Sequence, residues 1–235
     1  MPVHPLPGFF EPISAISHLG AAIVFGVLGI RLIRRSRGER LRLAFISVFV
    51  FAGVFMLSMS GVFHMMTGGG AAWAVMFRMD KAAIFVLIAG TFTPVHGLLF
   101  TGFIRWAGLA AMWGAAVTGL TLVTIFFDDM PFGLGTTLYL TLGWIAGLSI
   151  FALWRRHGFR FVRAILAGGL AYSVGAILLG LKWPTLMSGV FGPHELWHVA
   201  VIVGLSLHWR FIARLAKSAQ TTHGRLVANV SVLAA

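Results

Sequence analysis

Long apolar runs alternate along this chain with short polar breaks. Seven such runs can be drawn, at about 12–33, 42–65, 79–100, 104–126, 134–154, 161–181 and 193–212. Each is near the roughly 20 residues that a helix needs to cross a bilayer. The pattern predicts an all-α, polytopic membrane protein with seven transmembrane helices in one bundle. The breaks carry glycine, proline or arginine: Arg34-Arg35-Ser36-Arg37, Gly68-Gly69-Gly70, Thr101-Gly102, Asp128-Asp129-Met130-Pro131, Arg155-Arg156-His157-Gly158 and Trp183-Pro184. They are short, so consecutive helices are expected to pack as antiparallel neighbours. With no linker and no internal repeat, residues 1–235 read as a single domain. Residues 213–235 read as a polar tail, expected to be disordered. Gly143-x-x-x-Gly147 is a close-packing pattern for helices in lipid. Trp73, Trp106, Trp154, Trp183 and Trp209 fall near run ends, as in an interfacial aromatic belt.

Composition agrees with the patterning. Apolar residues make up 59% of the chain and charged ones 10%, too much apolar surface for a water-soluble globule. The net charge of +12 raises nucleic acid as a partner. The basic residues, however, sit in short clusters between apolar runs, as in the cytoplasmic flanks of membrane helices. The expected partner is the lipid bilayer, with no nucleic acid. The odd-numbered loops and the C-terminal tail share one side and hold 15 of the 18 basic residues. By the positive-inside rule that side is cytoplasmic, which puts the N-terminus outside and the C-terminus inside. No cysteine is present, so thiolate ligands are excluded. Residues 1–10 contain no Lys or Arg, so they lack the basic start of a signal peptide, and the first run is expected to stay in the mature protein.

Against this background the polar residues inside the runs stand out. An Asp at membrane depth costs about 2.5–3.5 kcal/mol on insertion scales, so it is a functional candidate by default. Pro193-His194-Glu195-Leu196-Trp197-His198 opens the seventh run. Its two histidines are i and i+4, on one helix face, and both can reach one metal ion. Ser60 and His64 have the same spacing at the end of the second run, and Asp80 stands near the start of the third. The end of an even-numbered helix lies on the same side of the membrane as the starts of odd-numbered ones. His64, Asp80, His194 and His198 therefore share one side whatever the detailed packing. Three imidazoles bind Zn²⁺ at about 2.0–2.1 Å and leave a fourth position for water, whose pKa the metal lowers toward about 7. Asp80 can orient that water or take its proton, and Ser60 can hydrogen-bond the water, a substrate carbonyl or a ligand.

His194-Glu195-x-x-His198 also matches the zinc-protease pattern. No Asp or Glu follows Glu195, and the next histidine, His208, is ten residues on, about 15 Å along a helix. A peptidase is therefore disfavoured, and Glu195 is expected at the rim or against a neighbouring helix. Glu11, Ser14 and His18 form a stripe at i, i+3 and i+7 that starts on the same side. It reads either as support or a substrate-access edge for the cluster, or as a plain interhelical hydrogen-bond set. His96 and His208 lie toward the opposite ends of their runs and read as structural histidines. Asp128 and Asp129 read as a solvated loop.

Ser60-x-x-x-His64, the run Asp80-Lys-Ala-Ala-Ile-Phe-Val-Leu-Ile-Ala-Gly-Thr-Phe-Thr-Pro94 and His194-Glu-Leu-Trp-His198 resemble the motifs of the hemolysin III family. That family is the bacterial branch of the progestin and adiponectin receptor group, within a superfamily that includes alkaline ceramidases. Glu11 through His18 is similar to its first-helix motif, and the resemblance covers essentially all seven runs. It implies a seven-helix protein of the cell membrane, the inner membrane of a bacterium. It also implies zinc held by His64, His194 and His198, with Ser60 and Asp80 beside the bound water. Relatives of this kind are associated with ceramidase or amide-hydrolase activity, receptor signalling or membrane lysis. The long N-terminal domain of the animal receptors has no counterpart here. The resemblance to adiponectin receptors implies an N-terminus inside, opposite to the charge count.

Three functions follow as expectations. The first is zinc-dependent hydrolysis of an amide or ester bond in a lipid, with a sphingolipid-like substrate. The second is a receptor or membrane-state sensor with structural zinc. The third is a pore-forming, lytic protein; the runs carry almost no charge with which one copy would line a water channel.

Overall fold

The computed structural model describes residues 4–131 and 133–233, with the side chains of 218–233 outside the description. Seven long helices account for almost all of it: α1 (Pro12–Arg35), α2 (Arg40–Phe63), α3 (Gly70–Leu99), α4 (Gly102–Ile125), α5 (Leu134–His157), α6 (Phe159–Leu181) and α7 (Pro193–Leu233). There is no strand among the described residues, and all seven helices are long and apolar enough to cross a membrane. Five of the expected runs match a helix within a few residues at each end. In α7 the membrane-length apolar stretch closes at Lys217 while the helical backbone continues to Leu233. Most of the expected tail, 213–235, lies outside the described side chains.

The third run starts earlier than expected. It was placed at 79–100, but α3 begins at Gly70. Residues 71–78 contain no helix breaker, and the polar break is confined to the glycines; Gly69, with φ of 105°, takes the turn that other residues resist. At 30 residues α3 is about 45 Å long, longer than the roughly 30 Å of a bilayer's hydrocarbon. The aromatics of its first turns find partners: Trp73 stacks on Phe77, which packs against Phe63 of α2 and Phe127 of the α4–α5 connection. Arg78 also bonds Asp128 at 2.5 Å, so that aspartate is paired rather than merely solvated.

Helix order around the bundle follows chain order. Each helix packs on the next except across the α4–α5 step, where contact is sparser, and α1 closes the ring against α7. Inside that ring α3 touches α2, α4, α5 and α7 and has the most buried span. The tightest connection is a single residue. Gly158 ends α5 and begins α6 with φ of 80°, a conformation that carries no Cβ penalty in glycine. One core cluster joins α1, α2, α3 and α7 through Phe25, Phe49, Leu87 and Leu205, all buried. Trp209 belongs there too, packed on Phe25 and Phe49, and so is core rather than belt. Trp106, Trp154 and Trp183 are exposed as a belt requires.

Candidate metal centre

The site forms where the C-terminus of α2 meets the N-terminus of α7. His64 caps α2, its N–H bonded to the Ser60 carbonyl. Pro193 starts α7, where a missing N–H costs nothing. The Gly192 N–H donates to Glu195 Oε2 at 2.8 Å, which closes the first turn from outside. This cap fixes the direction of His194 and His198, one turn apart.

The three imidazoles form a nearly equilateral group. Ring centroids are 4.9 Å apart for His64 and His194, 4.7 Å for His64 and His198, and 4.7 Å for His194 and His198. One ring nitrogen from each lies within 4.8 Å of the other two, so the group can hold a metal ion. His64 Nε2 and His194 Nε2 are 3.4 Å apart. Two nitrogens on a tetrahedral ion at about 2.0–2.1 Å would stand about 3.3–3.4 Å apart, so this pair is already at ligand spacing. His64 and His198 are 3% and 2% exposed, as an ion shielded from competing water requires.

The α1 stripe touches all parts of this group. The His64 Nδ1–H donates to Glu11 Oε2, which leaves His64 Nε2 as the metal-facing atom. The Glu11 N–H also bonds the His64 carbonyl at 2.9 Å. Burial raises the Glu11 carboxyl pKa, but the bond to His64 and the neighbouring His64, His194 and Lys81 charges outweigh it, so the carboxyl stays below its usual range. Ser14 Oγ donates to Glu195 Oε1 at 3.3 Å. His18 stacks on His198 with centroids 3.9 Å apart, and neither of its ring nitrogens has a protein partner. Glu195 is thus engaged by the α7 cap and by Ser14, at the junction of two helices and away from a base's position.

Asp80 is 6% exposed, with Ser60 facing its carboxylate. Lys81 Nζ lies 3.4 Å from Asp80 Oδ2. Lys81 carried no role in the sequence reading; its position directly after Asp80 was the available signal. Of the histidines read as structural, His96 fits: its nitrogens meet Ser149 Oγ at 3.0 Å and the Ile104 carbonyl at 2.9 Å.

Two cavities meet at the cluster. The larger, about 540 Å³, runs from His18, Ser60, Asp80, His194 and His198 into the bundle between α3, α5, α6 and α7. Its wall is mostly apolar. Gly143 and Gly147, expected to seat a neighbouring helix, have no other helix within contact of the space a Cβ would fill. Both line this cavity, so their smallness widens it. The second, about 420 Å³, lies beneath the N-terminal segment and is lined by Glu11, His194 and Glu195 with the α6–α7 loop.

Seven apolar helices and a three-histidine group, two of its rings buried, that is able to hold a metal define a polytopic membrane protein with a candidate metal centre at one end of its bundle. The chain belongs to the haemolysin-III related family, whose model matches residues 10–209. It is similar to Hemolysin-3 of Bacillus cereus, 35% identical over 132 residues, which are 55% of this chain and 56% of that one. A Hemolysin-3 homolog of Bacillus subtilis (strain 168) is 30% identical over 126 residues, 54% of this chain and 56% of the relative. The matched stretch thus spans a little over half the length of these curated relatives.

Proposed function

We propose that this protein is a zinc-dependent hydrolase that cleaves an amide or ester bond of a membrane lipid, with a sphingolipid-like amphiphile as the substrate class. The observation that carries the reading is the position of His194, which lines both cavities. The larger offers an apolar chain a path to the cluster from within the bundle. The smaller offers water a path from the membrane surface. Hydrolysis of a lipid needs both to arrive at one point.

Zinc, when bound, would supply a Lewis acid and make water acidic enough to react near neutral pH. His64, His194 and His198 would hold it, a neutral all-nitrogen set that suits this ion. Asp80 would accept the proton that water gives up, and Ser60 would hydrogen-bond the substrate carbonyl. Glu11 would fix the tautomer and direction of His64. The apolar cavity wall keeps bulk water from the scissile bond. The charge count supports a cell-membrane location with the C-terminus cytoplasmic and the site on the outer side.

Elemental analysis tests the metal first. About one zinc per chain is expected in the wild type, and loss in His64→Ala and His198→Ala. Zinc unchanged in both would remove the site. Asp80→Asn is expected to keep zinc while hydrolysis falls by about 10²–10⁴-fold, the usual contribution of a general base. Full activity in that variant would leave zinc a structural role, as in a receptor.

The names of the two relatives raise a lytic activity as a second reading. A water channel through one copy is disfavoured by the apolar wall of the larger cavity. Dye release from liposomes by wild type and His64→Ala would expose a lytic function of an assembly.

A further inference from the structure

The smaller cavity differs from the rest of the molecule in charge. The chain carries a net charge of +12, yet among the described residues no Lys or Arg lines this cavity. Its ionisable lining is Glu11, Glu195, His194 and His4. Two carboxylates and two imidazoles attract cations, inside a molecule whose overall charge repels them. Fields in salt solution reach only about 8–10 Å. An ion near the cavity therefore feels these groups, while the basic clusters at the other end of the bundle are screened from it.

Access to the histidine group is one-sided. His64 and His198 are 3% and 2% exposed. The His194 side chain is 34% exposed and that of Glu11 28%, with Glu11 Oε2 lying 3.9 Å from His194 Nε2. An ion arriving from water meets this pair before either of the other imidazoles. The larger cavity also reaches His194, but its wall is mostly apolar. A dication crossing it would lose hydration that apolar side chains cannot replace.

The segment over the smaller cavity is tied down at both ends. The His4 N–H donates to the Gly189 carbonyl of the α6–α7 loop at 3.2 Å. The Phe10 and Glu11 N–H groups donate to the Met65 and His64 carbonyls at 3.3 and 2.9 Å. Between them Leu6 and Phe9 bond each other in a tight turn. This strap runs from the loop before α7 to the end of α2 and leaves the cavity beneath it. His4 and Thr185 line the cavity and are exposed, so it opens to water at that edge.

We propose that the smaller cavity is the loading port of the metal centre. Glu11 and Glu195 draw a hydrated divalent cation inward, His194 and Glu11 make the first contact, and His64 and His198 complete the coordination. The proposal rests on the reading of the histidine group as a metal centre, and adds the route by which the ion reaches it.

The test is the rate at which metal-free, full-length protein in non-ionic detergent takes up zinc. Stopped flow follows it as the loss of zinc from a weak fluorescent indicator. Uptake is expected to slow as salt is raised, because screening weakens the local attraction; control by the net charge would make it faster. Thr185→Lys is expected to slow uptake about two- to fourfold at low salt, and Thr185→Glu to speed it by a similar factor. That is the effect of one charge on a dication about 10 Å away in water. Thr101 is exposed at the opposite end of the bundle. Thr101→Lys makes the same change in net charge and is expected to leave the rate unaltered. Uptake that quickens with salt, or Thr185 variants no different from Thr101→Lys, overturns the port and leaves the metal centre standing. If the wild type binds no zinc at all, the metal centre falls and the port with it.

Discussion

Glu11 illustrates how far a single residue was readable. Its place on a stripe with Ser14 and His18 was plain from the spacing, and so was the side of the membrane on which it starts. Its partner was not, because 53 residues separate it from His64 and nothing local encodes the pairing. A carboxylate on the outer nitrogen of a metal-binding histidine is typically worth 10–100-fold in affinity. Glu11→Gln is therefore expected to weaken zinc binding by about that factor in a chelator competition, with the helical content unchanged. The histidine triad itself was legible for a simple reason: i and i+4 spacing fixes a face, and odd and even helix numbers fix a side. Trp209 was misassigned to the belt because position along a run does not say which face of the helix meets its neighbours.

The helices themselves were legible from hydrophobic length, and their ends from glycine, proline and arginine. What escaped was the extension of α3 by residues 70–78, whose aromatic contacts with α2 and the α4–α5 connection no local pattern announces. Interhelical glycines were legible as a class but not individually. Gly61 on α2 meets Leu19 of α1, where a Cβ would stand 2.6 Å from Cγ and 3.1 Å from the backbone nitrogen. Backbone cannot rotate away, so Gly61→Ala is expected to destabilise by about 1–3 kcal/mol. Gly114 has open space around it, and Gly114→Ala is expected to leave the melting temperature in detergent unchanged or slightly raised. Equal melting of the two variants would contradict the close packing of α1 on α2. The Gly143 and Gly147 pair had the same sequence signature, yet it borders the cavity, since spacing of small residues cannot distinguish a contact from a void.

For the molecule as a whole, the proposed topology rests on an odd number of helices and on 15 of 18 basic residues on one side. A C-terminal fusion is expected to be active with a reporter that works in the cytoplasm and silent with one that works only outside it. The reverse result would turn the metal centre inward and reassign the compartment that supplies substrate. The ring closure of α1 on α7 has a separate consequence for biogenesis. Glu11, His64 and Asp80 leave the ribosome early, whereas His194 comes 130 residues after His64 and His198 one turn later still. Until the last helix inserts, the first three carry only one of the three candidate ligands, His64. On the proposed zinc reading, metal capture would be postponed to the end of synthesis, and an ion that binds only the finished arrangement would work as a clasp between the first and last parts of the chain. Newly made protein in zinc-starved cells is accordingly expected to be degraded faster than protein already loaded, with pulse-chase labelling as the readout.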